Sequence, residues 1–562
     1  MEGDTAEVNE VLSQLDYAVI VVYLIGTLGL GVWIGRRVHT GRDFFLAGRS
    51  LPWWAVGLSL VATDIGGTDI IGVGGAAYRH GLAVANFEWI GCVPAMILAA
   101  FVFVPYFYRT GLYTVPEFME RRYNAGVRVL LAGCWLVFMA CNLGVMLLAS
   151  AKLMTQTFGW NVELCIWVTA LFVGFYTVVG GLAAVVYTDV IQCTVMIGGC
   201  LLVLVMGLVD VGGLSGLQDA LDAHQRRELE RELAVAAAVD DESDTARPVA
   251  IDPKRLAMAR RAQTELIVPV QADSPFPWPA IYFGLALVLS PAYWIGNQAI
   301  VQRSLGAESE FQAKASYVCG AVLKNVIPLI IAVPGLIAVA KFPDLAEGDA
   351  AVPRLMGELL PSGLRGLFVA GFLAALMSSV DSYVNAAATI LTQDIYRRFI
   401  NRQADEQRLL RIGRITSFAL LVWAIVFAFL FLEMSEEAGL YAIFQTLMAF
   451  FQGPALAILV FGLLWKRATG RAALVAFVLG IGSAVGLFVL SQAVVTEALG
   501  WQPLFQIPDP FLYFSVWAFL LTSGLVVVLS LCMRPDPPEK TRFVYSKQLI
   551  QHLDDPERGD SP

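Results

Sequence analysis

Charged side chains are scarce in this chain of 562 residues. They make up 15% of it, against about 25% in soluble domains, whereas apolar residues make up 57% and the mean hydropathy is +0.67. This shortage excludes a soluble globular protein and predicts an all-α polytopic membrane protein. The net charge of −9 is spread over loops and tails without a basic patch, which argues against nucleic-acid binding.

Histidine is rarer still, with four residues, and none of the eight cysteines forms a C-x-x-C pair. The sequence contains no metal-ligand cluster of these residues, no P-loop and no Ser-His-Asp arrangement at one membrane face. We therefore do not expect an enzyme. The cysteines lie in or beside apolar segments, so we expect buried, reduced thiols.

The N-terminal segment, Met1 to Gln14, is polar and acidic, and it lacks the basic region and cleavage site of a signal peptide. We therefore expect the first apolar stretch to be retained as a membrane span. A span needs about 20 apolar residues. About thirteen such stretches are predicted, near 17–35, 51–75, 81–108, 127–156, 161–180, 186–209, 277–300, 316–342, 363–395, 411–432, 438–465, 471–494 and 510–533.

Arginine and lysine are concentrated in alternate short loops, such as the loop Arg36-Arg37-Val-His-Thr-Gly-Arg42. Cytoplasmic loops carry the excess of these residues. The pattern therefore predicts a protein of the cell membrane whose N-terminus lies outside and whose C-terminal tail lies in the cytoplasm. The long loop 210–276 is either a lid or a solvated insertion. The predicted organisation is an extracellular segment (1–16), an extra first span and cytoplasmic loop (17–50), a first repeat (51–209), the extracellular loop (210–276), a second repeat (277–465), additional spans (466–533) and a cytoplasmic tail (534–562).

Three carboxylates lie within or next to a glycine-rich span. Asp64 and Asp69 flank Gly66-Gly67, and Glu88 follows in the next span. An ionisable group at membrane depth costs several kcal/mol and usually faces an ion or substrate path. Glycines beside it indicate an unwound helix, which is tolerated only against protein or water. Five spans later, 277–300 is interrupted at Pro291 and Gly296, and such paired breaks predict an inverted repeat that carries a transport site.

Several motifs along the chain resemble the solute:sodium symporter family, nearest its sodium/glucose and sodium/galactose branch. They are Phe44-Phe-Leu-Ala-Gly-Arg-Ser-Leu-Pro-Trp-Trp54, Thr114-Val-Pro-Glu-Phe118, Gly180-Gly-Leu-Ala-Ala-Val-Val-Tyr-Thr-Asp189, Asn297-Gln298, Val301-Gln-Arg303, Met377-Ser-Ser379 and Gln393-Asp-Ile-Tyr396. The resemblance covers about Phe44 to Arg467. It implies a LeuT-type 5+5 inverted repeat, alternating access and Na⁺ as the coupling ion.

The resemblance also implies a sodium site, which suits a hard cation because its ligands are oxygens. Its members here are the carbonyls of Ala62, Ile65 and Ala375 and the hydroxyls of Ser378 and Ser379. Small-residue helix packing is the alternative reading of the serine pair.

A second cation site is a further hypothesis from the same resemblance. It consists of Asp189, Asp381 and Ser382 and would hold either Na⁺ or a proton. The carboxylate of Asp381 departs from the family, which has a hydroxyl there. Asp64 is expected on the ion or substrate path.

The sugar pocket implied by the resemblance draws on Glu88, Lys324, Gln445 and the gating aromatic Tyr293, with Trp294 beside it. Alternatively, the two aromatic residues only pack against other helices. The lysine could instead extend its side chain towards the membrane surface, which is known as snorkelling. Three pocket positions depart from the family: Asp69 replaces Gln or His, Thr68 replaces Glu, and Ser290 replaces Asn.

We expect a sodium-coupled symporter of a small polar solute, with a sugar or sugar-like polyol ahead of an amine-bearing solute. The alternatives are a sodium- or proton-coupled symporter of an amino acid or another small organic solute, a passive channel, and a transporter-like sensor. The expected partners are the solute, sodium ions and the lipid bilayer, with a monomer or a loose homo-oligomer as the assembly.

Overall fold

The computed structural model describes residues 12–241, 261–272, 274, 276–345, 347–434, 440–491, 500 and 512–544. Within these ranges the regular elements are helices, and no β-strand is formed. The main helices are α1 (Gln14–Gly35), α2 (Gly41–Leu46), α3 (Trp53–Asp64), α4 (Gly67–His80), α5 (consecutive turns Phe87–Cys92, Val93–Leu98, Ala99–Phe103 and Val104–Arg109), α6 (Val115–Arg122), α7 (Ala125–Phe158), α8 (Val162–Asp210), α9 (Gly213–Asp241), α10 (Ala280–Gly296), α11 (Gln298–Leu305), α12 (Glu310–Lys341), α13 (Ala351–Leu359), α14 (Leu364–Ile400), α15 (Glu406–Met434), α16 (Leu440–Leu464), α17 (Gly470–Ser491) and α18 (Leu512–Cys532).

The thirteen predicted spans all fall on these helices. In the described part of the chain, nine helices are long and apolar enough to cross a bilayer, or ten when a bent pair is included. The number is smaller because two predicted spans share α8, because the break leaves α3 with 12 residues, and because the fully described part of α16 is only Met448–Leu464. The predicted spans 161–180 and 186–209 both lie in α8, which bends at Gly181, where φ is +56°. A Cβ at Gly181 would lie 2.6 Å from the backbone oxygen of Phe44, so both the conformation and the contact require glycine.

The predicted break in the second span is present between α3 and α4. Ile65 leaves the helical region with φ −94° and ψ +91°, and Gly66 is extended with φ −80° and ψ +172°. A new helix starts at Gly67, where Asp69 accepts a hydrogen bond from the Gly66 N–H at 2.8 Å. The carboxylate therefore caps the helix that follows the break.

The span 277–300 is broken as well, and its two parts meet at 50°. Asn297 is extended there, with φ −72° and ψ +119°, and its side chain accepts the N–H of Ala299 at 2.9 Å. Pro291, the other predicted interruption, lies inside α10 and does not end it. The two broken spans thus occupy the corresponding places that the sequence predicted.

One helix forms the centre of the bundle. The most apolar 18-residue window of α14 is 94% buried, whereas the corresponding windows of α1 and α17 are each 28% buried. α14 packs against α8, α3, α4, α7 and α15. The outer helices present apolar side chains such as Val22, Leu479 and Leu520 at their surfaces. A protein whose helices expose such residues along their length is suited to lipid.

Ion pairs hold the end of the bundle that carries the arginine-rich loops. Glu120 on α6 pairs with Arg128 at 2.6 Å and with Arg398 at 2.5 Å, and Arg128 also pairs with Asp394 at 2.7 Å. Burial raises the pKa of Glu120, but the hydrogen bonds from Arg398 and Arg128 outweigh it, so that its pKa lies below the usual value. The network joins α6, α7 and α14 at this end.

The cysteines are free, as expected, but they are not uniformly buried. Cys165, Cys193 and Cys200 are buried, whereas Cys532 is exposed at the end of α18 and the other four are half-buried. The expectation of eight buried thiols was therefore wrong in part, because a residue inside an apolar run can still face outward from the bundle.

Candidate functional site: a cavity between two broken spans

A cavity of about 130 Å³ lies beside both helix breaks. This is close to the roughly 150 Å³ of an engineered cavity that binds benzene, so the space suits one small ring. Its polar lining includes Thr63, Asp64, Asp69, Glu88, Asn142, Ser290, Tyr293, Ser379, Tyr383 and Gln452. These residues come from α3, α4, α5, α7, α10, α14 and α16, so the site exists only when the helices are assembled.

Lys324 joins two of the predicted carboxylates. It lies in α12, its side chain has no exposed surface, and it donates hydrogen bonds to Asp64 and to Glu88, the latter at 2.9 Å. The other Glu88 oxygen lies 2.8 Å from the same nitrogen. Snorkelling, the alternative for this lysine, is therefore excluded. Asp64, Glu88 and Cys92 form the kind of group that binds a metal ion, but the lysine ammonium contacts both of its carboxylates.

Asp69 lines the same cavity on the other side of the break. Its contact with the Gly66 N–H uses Oδ2. In the described part of the chain no ion pair to Asp69 is formed. It therefore differs from Asp64 and Glu88, which share the ammonium of Lys324.

Gln452 is a cavity residue that the sequence analysis missed. It lies on α16, it is fully buried, and neither its amide nitrogen nor its amide oxygen has a hydrogen-bond partner among the described residues. A buried polar group without a protein partner is costly, and a bound water, ion or ligand is the usual way in which it is satisfied. The signal was a single glutamine in the apolar run Ala449-Phe-Phe-Gln-Gly-Pro454.

The predicted gate residue Tyr293 and its predicted neighbours on α10 reach the cavity as well. Tyr293 and Trp294 line it with their rings at right angles, 5.7 Å apart, and Ser290 lies one turn before them. Trp294 is fully buried, and its carbonyl accepts a hydrogen bond from Tyr317 at 2.9 Å. Two other predicted pocket residues, Thr68 and Gln445, lie in α4 and α16, but their side chains are outside the described part of the structure.

The five residues of the predicted sodium site lie on α14 and at the end of α3. The Ser378 hydroxyl oxygen is 2.7 Å from the carbonyl oxygen of Ala62 and 2.9 Å from that of Ala375. The hydroxyl of Ser379 lies 3.1 Å from the same Ala375 oxygen and 3.4 Å from that of Thr63. Ile65, the first residue after α3, has the extended backbone described above. Oxygen atoms from two helices therefore converge at the break.

The predicted second cation site contains a side chain that was not assigned to it. Arg303 on α11 pairs with Asp189 at 3.3 Å and donates to Ser382 and to Ser59. Asp381 accepts hydrogen bonds from Tyr176 at 2.8 Å and from Ser382 at 3.2 Å. All of these side chains are fully or almost fully buried. The Arg303 guanidinium thus pairs with Asp189, whereas Asp381 accepts only hydroxyl hydrogen bonds among the described residues.

A family model for sodium:solute symporters matches residues 44–480 of this sequence. The chain belongs to the sodium:solute symporter family. Human sodium/glucose cotransporter 4 is 30% identical over 559 residues, which cover 95% of this chain and 78% of that protein. Mouse sodium/myo-inositol cotransporter 2 is 32% identical over 558 residues, which cover 93% of this chain and 77% of that protein.

The fold of this symporter is also found in a solved structure. A Na⁺-coupled sialic acid symporter in its substrate-bound, outward-open state superimposes with a TM-score of 0.72 and 18% identity, over 93% of this chain and 99% of the other. The comparison confirms the predicted fold class. Together with the family match it makes the protein a multi-pass, sodium-coupled membrane symporter of a small solute, and not an enzyme.

Proposed function

We propose that this symporter moves a small sugar or sugar-like polyol across the cell membrane together with sodium. The observation that carries the proposal is the cavity itself, which lies beside two broken spans and is lined by Glu88, by the amide of Gln452 and by the rings of Tyr293 and Trp294, with Lys324 bound to Glu88 behind that lining. Carboxylates and amides that accept, and an ammonium that donates, suit a ring of hydroxyl groups. The names of the relatives, a glucose and a myo-inositol cotransporter, support the same chemical class.

The sodium site in this proposal is formed by Ala62, Ile65, Ala375, Ser378 and Ser379. Sodium bound there ties α3 to α14 through oxygen ligands and stabilises the conformation in which the solute binds from outside. Coupling requires sodium to prefer one conformation, because equal affinity for both shifts no population. When the outer path closes and the inner path opens past Tyr293, both the ion and the solute leave.

The energy of one sodium ion is sufficient for concentrative uptake. One charge moving across 100 mV supplies about 2.3 kcal/mol, and a tenfold sodium gradient adds about 1.4 kcal/mol. At about 1.4 kcal/mol per tenfold ratio, one ion supports a solute gradient of several hundred-fold. A second cation would roughly square that ratio.

The proposal includes an arrangement of the chain in the membrane. The first repeat spans 51–209 and the second 277–465, with α1 before them and α17 and α18 after them. The N-terminus and the loop 210–276 lie outside, and the C-terminal tail lies in the cytoplasm. We take the symporter to work as a monomer or as a loose homo-oligomer in the bilayer.

Uptake into proteoliposomes tests the proposal directly. We expect glucose, galactose or myo-inositol to accumulate only with an inward sodium gradient. Ser378→Ala should raise the half-saturating sodium concentration at least tenfold, because it removes one oxygen ligand. Ser483→Ala is the matched control, since its hydroxyl makes the same local contact, to the carbonyl of Gly480 at 2.7 Å, on the outer helix α17. Sodium-driven uptake of amino acids or carboxylates, with no sugar or polyol accumulated, would contradict the proposal.

A further inference from the structure

The cavity contains more negative charge than its own side chains balance. Among the described residues that line it, Asp64, Asp69 and Glu88 carry carboxylates, and no lining residue carries a cation. Lys324 is the ammonium in contact with this group, and it is shared by Asp64 and Glu88. With all groups ionised, the formal charge of the cluster is two negative charges.

Asp69 is the carboxylate without a cationic partner. Its one hydrogen bond in the described structure comes from the Gly66 N–H through Oδ2, and the start of α4 adds only a fraction of a positive charge. A buried carboxylate that lacks a partner is costly, and in a membrane it generally faces an ion or a substrate.

Sodium at the proposed site balances one of the two charges. One negative charge then remains when the ion is bound, and a neutral sugar does not remove it. A solute with one positive charge balances this remaining charge. The cavity loaded with sodium and solute is then neutral before the solute crosses the membrane.

The rest of the wall suits a hydroxylated solute with one ammonium group. The aromatic rings of Tyr293, Trp294 and Tyr383 line the same cavity, and the face of such a ring attracts an ammonium group. Gln452 offers an amide with no partner among the described residues, which can donate to one hydroxyl and accept from another. Both features therefore match an amino sugar or an amino polyol.

We propose that the substrate of this symporter is a sugar or polyol bearing a protonated amine, which Asp69 binds through its carboxylate while Gln452 binds a hydroxyl group. This inference rests on the proposed function, since it names a subclass of the same solutes at the same site. Lys324 pairs with Asp64 and Glu88 and not with Asp69, so the lysine and the amine of the substrate do not compete for the same carboxylate.

Competition in proteoliposomes tests the inference with three matched probes. Glucosamine carries the amine, N-acetylglucosamine carries the same nitrogen without its charge, and glucose carries a hydroxyl there. The measured quantity is the sodium-driven uptake of a labelled sugar or polyol. We expect glucosamine to inhibit this uptake by half at a concentration at least tenfold lower than either neutral probe requires. Asp69→Asn should abolish this preference, whereas Asp219→Asn, on the exposed face of α9, should leave it unchanged.

The outcomes separate the inference from the proposed function. Equal or better binding of the neutral probes, with Asp69→Asn retaining the wild-type order, would overturn the inference and leave sugar symport intact. Uptake of neutral sugar driven by a proton gradient and lost in Asp69→Asn would also overturn it, because Asp69 would then carry the coupling proton. If no sugar or polyol, charged or neutral, moves with sodium, the proposed function fails first.

Discussion

Lys324 is the residue that combines the carboxylates of the cavity into one cluster. It is fully buried between Asp64 and Glu88, whose side chains are 14% and 15% exposed. Breaking a buried ion pair from one side costs about 3–5 kcal/mol, because the remaining charge stays buried without a partner. Here two carboxylates would be left in that state.

We expect Lys324→Met to lower the unfolding midpoint of the detergent-solubilised protein by several degrees and to abolish uptake. Lys341→Met is the matched control, because Lys341 also pairs with two carboxylates, Asp210 and Glu358, each at 2.6 Å. Those acids are nearly half exposed, and exposed pairs contribute about 0–1 kcal/mol. Thermal unfolding followed by tryptophan fluorescence gives the unfolding midpoint of both variants. Equal shifts of the midpoint would show that burial of the ion pair does not decide how much stability its loss removes.

We predict that Asp381 sets how many cations the symporter couples. Arg303 pairs with Asp189, and Asp381 has no ion pair among the described residues, so the cluster retains one negative charge that a second sodium ion or a proton can balance. We expect the sodium dependence of uptake to have a Hill coefficient near two, and Asp381→Asn to reduce it to near one. A coefficient of one in the wild type that does not change in the variant argues against a second cation site.

At the scale of helices, the break between α3 and α4 depends on a close contact with α14. A Cβ at Gly67 would lie 2.6 Å from Leu376 Cγ and 2.8 Å from the Phe372 ring, whereas a Cβ at Gly72 would meet nothing within 4 Å. Both glycines lie in α4. The first turn of this helix therefore fits against α14 only because position 67 has no side chain.

We expect Gly67→Ala to push α4 away from α14, to weaken sodium binding at least tenfold and to lower the unfolding midpoint. Gly72→Ala should leave sodium binding unchanged and keep or slightly raise stability, because alanine favours helix over glycine by up to about 1 kcal/mol. Sodium titration of the thermal midpoint gives both quantities for each variant. Similar losses of sodium binding and stability in the two variants would show that α4 needs glycine for its flexibility and not for the close contact with α14.

At the scale of the whole molecule, the distribution of arginine and lysine among the short loops predicts the orientation in the membrane. We expect a cysteine at position 219 to react with a membrane-impermeant maleimide from outside intact cells, and a cysteine at 466 to react only after the membrane is opened. Both native residues, Asp219 and Lys466, are exposed. The native Cys532 is exposed too, so the assay needs Cys532→Ser as background. The reverse labelling pattern would show that the charge rule fails for this protein.

The sequence by itself determined the apolar spans, the positions of the two broken spans and the intramembrane carboxylates of the cavity. An apolar run long enough to cross the bilayer predicts a span, and a glycine pair beside a carboxylate predicts a break. Both signals lie among neighbouring residues and can therefore be read from the sequence. It also identified Glu88 and Lys324 as members of one pocket, although only by resemblance, and it placed Asp64 on the ion or substrate path. Gln452 escaped because one amide within an apolar run has no local pattern that separates it from a packed helix.

Only the tertiary structure decided which charges pair. Lys324 and Asp64 are 260 residues apart, and Arg303 and Asp189 are 114 residues apart. Such pairs form because buried charges must find partners wherever the helices bring them together, and that depends on packing which no local pattern records. Asp69 has no such partner among the described residues, and for this physical reason it is where we expect the solute to supply the missing charge.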